Sequence, residues 1–247
     1  MKINLAPKSV FLTLLAIIFM LLIANILGII SKFFLGYGSV KGLVPLFNFN
    51  TEKNIPTLFS VVLLLISALL FLIIANHHKK LQQSYWPWAG LSAIFLFLSI
   101  DEIAVLHERL SGSLHETLDT SGVFFFAWII PYGLALVVLG LVYLNFLRQL
   151  PSRTRNLLIL SGAIFVTGAI GFEMLGGQHA DQYGYKTFVY SIFYTFEELF
   201  EMLGVTLLIY TLLLYITNNF VSFTLTIQEK ESIEAKETVN EKEAFAA

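Results

Sequence analysis

Carboxylate residues are concentrated in a part of this apolar chain where few would be expected. Of the eleven Asp and Glu residues before residue 226, ten lie between Asp101 and Glu201, several of them inside hydrophobic stretches. An ionisable side chain in a bilayer is costly and usually marks a site with a function. Carboxylate oxygens are also the ligands that suit divalent cations such as Mg²⁺, Mn²⁺ and Ca²⁺. These residues are therefore the first candidates for a functional site.

The candidate residues form three short groups along the chain. Glu197 and Glu201 are four residues apart, so both can face one ligand from the same side of a helix. We predict a divalent-cation site that combines residues from all three groups, and the sequence does not identify which metal or any catalytic residue. The predicted ligands are Asp101, Glu102, Glu173, Glu197, Glu198 and Glu201, with His107, Glu108 and Arg109 as secondary residues.

Helical spacing limits which of these residues can share one ion. Asp101 and Glu108 are seven residues apart, hence about 10.5 Å apart along a straight helix. We therefore expect Glu108, and also His115, to lie outside the ligand layer unless the helix breaks. The Glu-x-x-His pair of soluble di-iron bundles is missing, since Val105 follows Glu102 by three residues.

The composition assigns the chain to the integral membrane proteins. It is 57% hydrophobic and 13% charged with a mean hydropathy of +0.77, whereas soluble domains are about 25% charged. The lack of cysteine excludes disulfides and thiolate ligands. The basic residues are typical of topology signals in short loops, and no nucleic-acid-binding patch is predicted.

The hydrophobic segments predict an all-α, polytopic bundle of six transmembrane helices. Pro56 suits the first turn of the second helix, and Pro131 should kink the fourth. We expect residues 1–225 to form this membrane domain and 226–247, rich in Glu and Lys, to be a charged, mobile cytoplasmic tail. The predicted helices are about 9–31, 57–76, 88–108, 122–147, 156–176 and 187–217.

Six crossings place both ends of the chain on the same side of the membrane. That side holds seven Lys and Arg residues before the tail against five on the other, which predicts cytoplasmic termini in a bacterial inner membrane. The third and fifth helices then end, and the sixth begins, on the extracytoplasmic side. We expect their carboxylates to meet in one shallow, outward-facing layer. Asp101 and Glu173 would lie near helix C-termini, where the helix dipole opposes a negative charge and some compensation is required.

A local repeat links the fifth and sixth helices. Phe172-Glu173-Met174-Leu175-Gly176 recurs as Phe200-Glu201-Met202-Leu203-Gly204. The two helices run in opposite directions, and glycines allow close approach of membrane helices. The repeat therefore predicts that Glu173 and Glu201 face each other.

Three stretches carry a resemblance to known sequences. They are Asn54-Ile55-Pro56-Thr57, Ser99-Ile100-Asp101-Glu102 with His107-Glu108, and Glu197-Glu198 with Glu201. In these the chain resembles uncharacterised bacterial multi-pass membrane proteins with an intramembrane Asp-Glu-x4-His-Glu stretch. The resemblance covers the membrane part and implies no activity.

Two classes of function compete with the leading hypothesis. That hypothesis is an inner-membrane protein whose outward-facing carboxylate and histidine cluster binds a divalent cation, used for chemistry on a lipid-like substrate or for structure. The first alternative is a cation- or proton-coupled transporter, which would load and release its ion on the same carboxylates. The second is an accessory or assembly subunit of a membrane complex. The sequence does not separate an enzyme from a transporter, because both need buried ionisable groups.

Overall fold

The computed structural model describes residues 6–220, and every regular element within that range is a helix. Six of its helical segments are long and apolar enough to cross a bilayer, which confirms the predicted all-α membrane bundle. The predicted tail, 226–247, and its boundary at 225 lie outside the described residues. The elements are α1 (Pro7–Phe33), α2 (Leu43–Leu46), α3 (Ile55–Lys80), α4 (Trp86–Ala104), α5 (Leu106–Leu118), a 3₁₀ turn (Gly122–Phe124), α6 (Ile129–Gln149), α7 (Ser152–Val166), a π-helical segment (Thr167–Phe172), α8 (Glu173–Tyr183) and α9 (Phe188–Asn219).

The first spans agree with the sequence apart from their ends. The N-cap of α3 is Asn54, whose side-chain oxygen accepts a hydrogen bond from the Thr57 N–H at 3.0 Å, and Pro56 occupies the first turn as predicted. The helix continues through His77 to Lys80 instead of ending at 76. Basic side chains in a last turn are favoured by the helix dipole, so they extend this helix instead of ending it.

The predicted third and fourth helices are wrong at one end each. The third ends at Ala104 instead of 108, because Val105 adopts a left-handed conformation (φ 56°, ψ 45°) that no α-helix can continue through. The fourth begins at Ile129 instead of 122. Pro131 then lies in the first turn, where its missing N–H would have no partner within the helix, so the predicted kink has no cause there.

The predicted fifth helix, 156–176, is too short at both ends. It runs without interruption from Ser152 to Tyr183 through the π-helical segment. Gly176 and Gly177 resemble a stop signal in the sequence, but they lie within the helix, where the absence of a side chain admits Phe193 and Phe126. The sixth helix, α9, matches its prediction within two residues at each end.

The helices pack around α9. Half of its most apolar window is buried, and the main apolar core joins it to α1 and α3 through residues such as Leu21, Leu63 and Met202. By contrast only 6% of the corresponding window of α6 is buried, and Ile129 is the one buried residue of that helix. The helix α6 therefore stands at the periphery, separated from the bundle along most of its length.

Candidate functional site

The break at Val105 determines where the first acidic group lies. Because α5 starts immediately after this left-handed residue, a new helix begins there and the His107 backbone N–H donates to Asp101 Oδ1 at 2.9 Å. The first turn of α5 has no side-chain cap of its own, so the Asp101 carboxylate satisfies one of its free N–H groups. Asp101 lies in the last turn of α4, where the helix dipole opposes its charge, and the N-terminal end of the α5 dipole compensates for this.

Asp101 also binds a histidine side chain. His107 Nδ1 lies 3.3 Å from Asp101 Oδ2, and Asp101 is 5% exposed. Burial opposes a charge on the imidazole, but the hydrogen bond to Asp101 and the negative charges of Asp101, Glu102 and Glu173 outweigh it and raise the pKa of His107 to about 9. The imidazolium of His107 therefore persists at neutral pH as the positive member of a buried ion pair. The Tyr132 hydroxyl lies close to the Asp101 carboxylate.

The second acidic group is held by a tryptophan. Glu173 is 9% exposed, and its Oε1 accepts a hydrogen bond from Trp128 Nε1 at 3.1 Å. Glu173 is also hydrogen-bonded to the Glu197 carboxyl group. A hydrogen bond between two carboxyl groups requires a proton on one of them. Glu173 and Glu197 thus form a pair that offers one proton donor and one acceptor side by side.

Glycines set the distance between the two helices that carry this pair. A Cβ on Gly168, in the π-helical segment, would lie 2.6 Å from the Glu197 carbonyl oxygen and 3.0 Å from the Glu201 nitrogen. A Cβ on Gly204 would lie 2.7 Å from the Phe165 nitrogen. The two backbones are therefore in direct contact, as the sequence repeat suggests. In this register the hydrogen-bonding partner of Glu173 is Glu197 and not the predicted Glu201, which lies one helical turn further along α9.

A fourth element contributes a carboxylate that sequence reasoning left out. The loop between α2 and α3 is tied to the bundle by Asn25, whose Oδ1 accepts from the Phe49 N–H at 3.0 Å and whose amide donates to Thr195 at 2.9 Å. This anchor turns the loop inward and brings Glu52 to the other acids. Burial, followed by the negative charge of Glu108, raises the pKa of Glu52. The only signal in the sequence was the helix-start pattern around Asn54, which does not predict that the loop folds inward.

All of these carboxylates face one cavity of about 1170 Å³, slightly larger than the usual range for a ligand pocket. One end, here called the acidic end, is lined by eight carboxyl groups together with His107, His115, Trp128 and Tyr132. The remainder, here called the apolar arm, extends between α4, α6, α7 and α9 and is lined by residues such as Phe95, Leu139 and Leu158. The carboxylates of the acidic end are Glu52, Asp101, Glu102, Glu108, Glu173, Glu197, Glu198 and Glu201.

Each predicted site residue can now be located. The six predicted ligands all line the cavity. Glu108 and His115 line it as well; the expectation that they lie outside the ligand layer applied to an unbroken helix, and the helix breaks at Val105. Arg109 is exposed and does not contribute to the cavity wall. Trp128 and Tyr132 were not predicted, because nothing in their spacing distinguishes them from other aromatic residues of a membrane helix.

The acidic end has many more acidic than basic side chains. Among the residues between 6 and 220 that line the cavity, none is Lys or Arg, and His107 is already paired with Asp101. Within that described range, however, no group of three or more His, Asp or Glu side chains is arranged so that it could hold a metal ion. The carboxylates are thus neighbours around one cavity without forming a ready coordination shell, and the divalent-cation site stays a prediction.

Comparison with known proteins identifies the family. The model of the family described as Domain of unknown function (DUF8692) matches residues 10–216, so the chain belongs to that family. The match covers the six spans, apart from the outer ends of α1 and α9, and it includes every residue of the cavity wall. No curated protein and no solved structure matches the chain.

Proposed function

We propose that this protein is a membrane-embedded enzyme that acts on the polar end of a lipid-like amphiphile. The observation that carries the proposal is the single cavity that joins an apolar arm to an acidic end. Binding sites for small molecules are largely apolar with a few converging polar groups, and this cavity has that division. Its walls belong to membrane spans, so hydrocarbon chains are the most abundant ligands within reach.

Two features support chemistry at the acidic end. The Glu173 and Glu197 pair supplies a proton donor beside a proton acceptor, which is what general acid–base catalysis requires. Trp128 holds Glu173 from the opposite side, so the orientation of the pair is fixed before a substrate binds. A polar group seated between the pair and Asp101 could receive a proton from one carboxyl group while the other accepts one.

Conversion of lipids by the purified protein tests the proposal. Purified protein is incubated with vesicles made from the lipid extract of the expression host, and the lipids are compared by mass spectrometry before and after. We expect the wild type to convert a lipid species that Glu197→Gln leaves unchanged, because glutamine keeps the shape but cannot transfer the proton. Asp181→Asn, on the same face of the membrane but outside the cavity wall, is the matched control. A wild type that changes no lipid and retains none through purification would contradict the proposal.

The ligand should bring positive charge to the acidic end. Among the described residues that line the cavity, an anionic headgroup would find no Lys or Arg partner, and any ionised carboxylate there would repel it. The charge can come from an amine on the amphiphile or from a divalent cation bound with it, as the leading hypothesis from the sequence holds. Metal analysis of protein purified without chelator, beside Glu201→Ala and Glu173→Ala, separates the two sources. Stoichiometric metal that is lost in both variants supports the cation, whereas a folded, metal-free wild type that binds alkylamines supports the amine.

A cation- or proton-coupled transporter is the second candidate, and the breaks in two helices favour it. Transporters often build their sites from interrupted helices, and here Val105 and the π-helical segment Thr167–Phe172 both adjoin carboxylates of the acidic end. Proton or cation flux into proteoliposomes that stops in Glu173→Gln and Glu197→Gln would support this function. Flux that survives both changes would remove these carboxylates from a transport role.

We further propose a bacterial inner membrane with both ends of the chain in the cytoplasm and the acidic end facing outward. The support is the greater number of basic residues in the loops that share a side with the N-terminus. Reporter fusions at the C-terminus test it. Green fluorescent protein should fluoresce there and alkaline phosphatase should be inactive, and the reverse result would invert the proposed topology.

A further inference from the structure

We propose that the apolar arm binds one hydrocarbon chain of an amphiphile, and that Gly140 and Gly162, which both line the arm, determine how long a chain it accepts. The inference rests on the proposed function and specifies its substrate class. The cavity is partly open to its surroundings, so a hydrocarbon chain can enter it from the bilayer.

The arm is a built feature of the bundle. The helix α6 is attached at its two ends and stands off in between. At the near end Ile129 is buried and Trp128 contacts Glu173; at the far end the Tyr143 hydroxyl donates to the Pro87 carbonyl oxygen at 3.0 Å. Gly90 makes room for that hydroxyl, because a Cβ there would collide with it. The two attachments bracket most of the stretch of α6 that lines the cavity, which runs about 22 Å from Tyr132 to Leu147 at 1.5 Å per residue.

Two pairs of glycines in these spans differ in what surrounds them. Gly168 and Gly204 are needed because neighbouring backbone lies where their Cβ would be. Gly140 and Gly162 line the arm, and a Cβ at either would meet nothing within 4 Å. Glycine inside a helix costs about 1 kcal/mol relative to alanine. Close packing does not explain this cost at Gly140 and Gly162, whereas keeping the arm wide enough for a chain does.

The acidic end determines how the chain is oriented. The polar group of an amphiphile would lie among the carboxylates, and its chain would extend along α6 past Ala135 and Leu139 toward Tyr143. A short chain therefore ends before the level of the two glycines, and a long chain must pass them. Larger side chains at these positions should weaken the binding of long chains and leave short ones unaffected.

The test compares octylamine with hexadecylamine in the full-length protein. The affinity for each amine is measured from the amine concentration at which the unfolding temperature rises, since a ligand that binds the native state stabilises that state by mass action. We expect Gly140→Phe and Gly162→Phe to weaken hexadecylamine binding about tenfold, which corresponds to two methylene groups left unburied at about 0.8 kcal/mol each. Octylamine binding should not change. The amines partition into detergent to the same extent with every variant. The ratio of affinities between two variants therefore reflects binding at the site.

Gly133→Phe is the matched control. Gly133 lies on α6 with equally open surroundings, but it does not line the cavity. Hexadecylamine affinity that is equal in all four proteins would overturn the inference while leaving the proposed function in place. Failure of both amines to bind the wild type would count against the proposed function as well. If Gly162→Phe does not fold, Gly140→Phe decides.

Discussion

The Asp101 and His107 pair makes a specific prediction about pH. A histidine whose pKa rises from about 6.5 when unfolded to about 9 in the native protein stabilises the fold. At 1.36 kcal/mol per pKa unit this contribution is about 3 kcal/mol. Because the native pKa is the higher one, the contribution is complete below about pH 6.5 and is lost as the pH rises through about 9.

Asp101→Asn should abolish most of this pH dependence. The amide oxygen of asparagine can still accept from the His107 backbone N–H, so the start of α5 keeps its cap while the charge is removed. The His107 side chain is only 19% exposed, so solvent screens the pair little. For a chain of this size, about 3 kcal/mol corresponds to a shift of roughly 6–12 °C in the unfolding temperature, on the scale known for soluble domains.

The measurement is thermal unfolding in detergent between pH 6.5 and about 9 for the wild type, Asp101→Asn, His107→Gln and the double variant. The double-mutant cycle isolates the coupling between the two side chains from other groups that titrate in the same range. Asp119→Asn, an exposed change on the neighbouring turn, is the control. A coupling free energy that is the same at both ends of the pH range would refute the reasoning, because an uncharged hydrogen bond has no such dependence.

Three further changes test how the structure positions the site, each by thermal unfolding. Gly168→Ala places a Cβ against the backbone of Glu197 and should cost about 1–3 kcal/mol, whereas Gly162→Ala in open space should be neutral or stabilising; equal effects would contradict the close approach of α7 and α9. Asn25→Ala leaves the buried Phe49 N–H without its acceptor and should cost about 1–3 kcal/mol, and the exposed Asn156→Ala should cost little. Trp128→Phe removes the donor to Glu173 with a similar expected loss, and its control is Trp86→Phe, a residue that is 70% exposed; equal stability of the two tryptophan variants would show that the hydrogen bond to Glu173 contributes nothing.

Helix ends show where sequence signals are reliable and where they are not. Pro56 predicted the start of α3 to within two residues, because the fixed φ of proline is a local property, and the structure adds Asn54 as the N-cap. Gly176 and Gly177 suggested an end that is not there, because the same residue type also serves close packing against aromatic rings. Only the neighbours of a glycine distinguish these two uses.

The break at Val105 could not be predicted from the residue. A β-branched side chain is disfavoured at positive φ, so valine gives no signal for a left-handed position. The interactions that follow the break stabilise it: Asp101 binds both the backbone and the ring of His107. These contacts are formed between residues six apart, and helical spacing alone places such residues on different parts of a helix.

By itself the sequence determined the class of this protein and the identity of most residues at the acidic end. Composition determines the class because apolar spans of about 20 residues are stable in a bilayer. The charged residues identify the acidic end because a carboxylate inside such a span is costly and usually marks a functional site. The tertiary structure alone decided that Glu52 and Glu108 join the others, that Glu173 pairs with Glu197, and that an apolar arm continues from the acidic end. The reason is physical: helix register and a gap between helices arise from contacts between residues far apart in the sequence, and the break at Val105 depends on contacts that helical spacing does not predict.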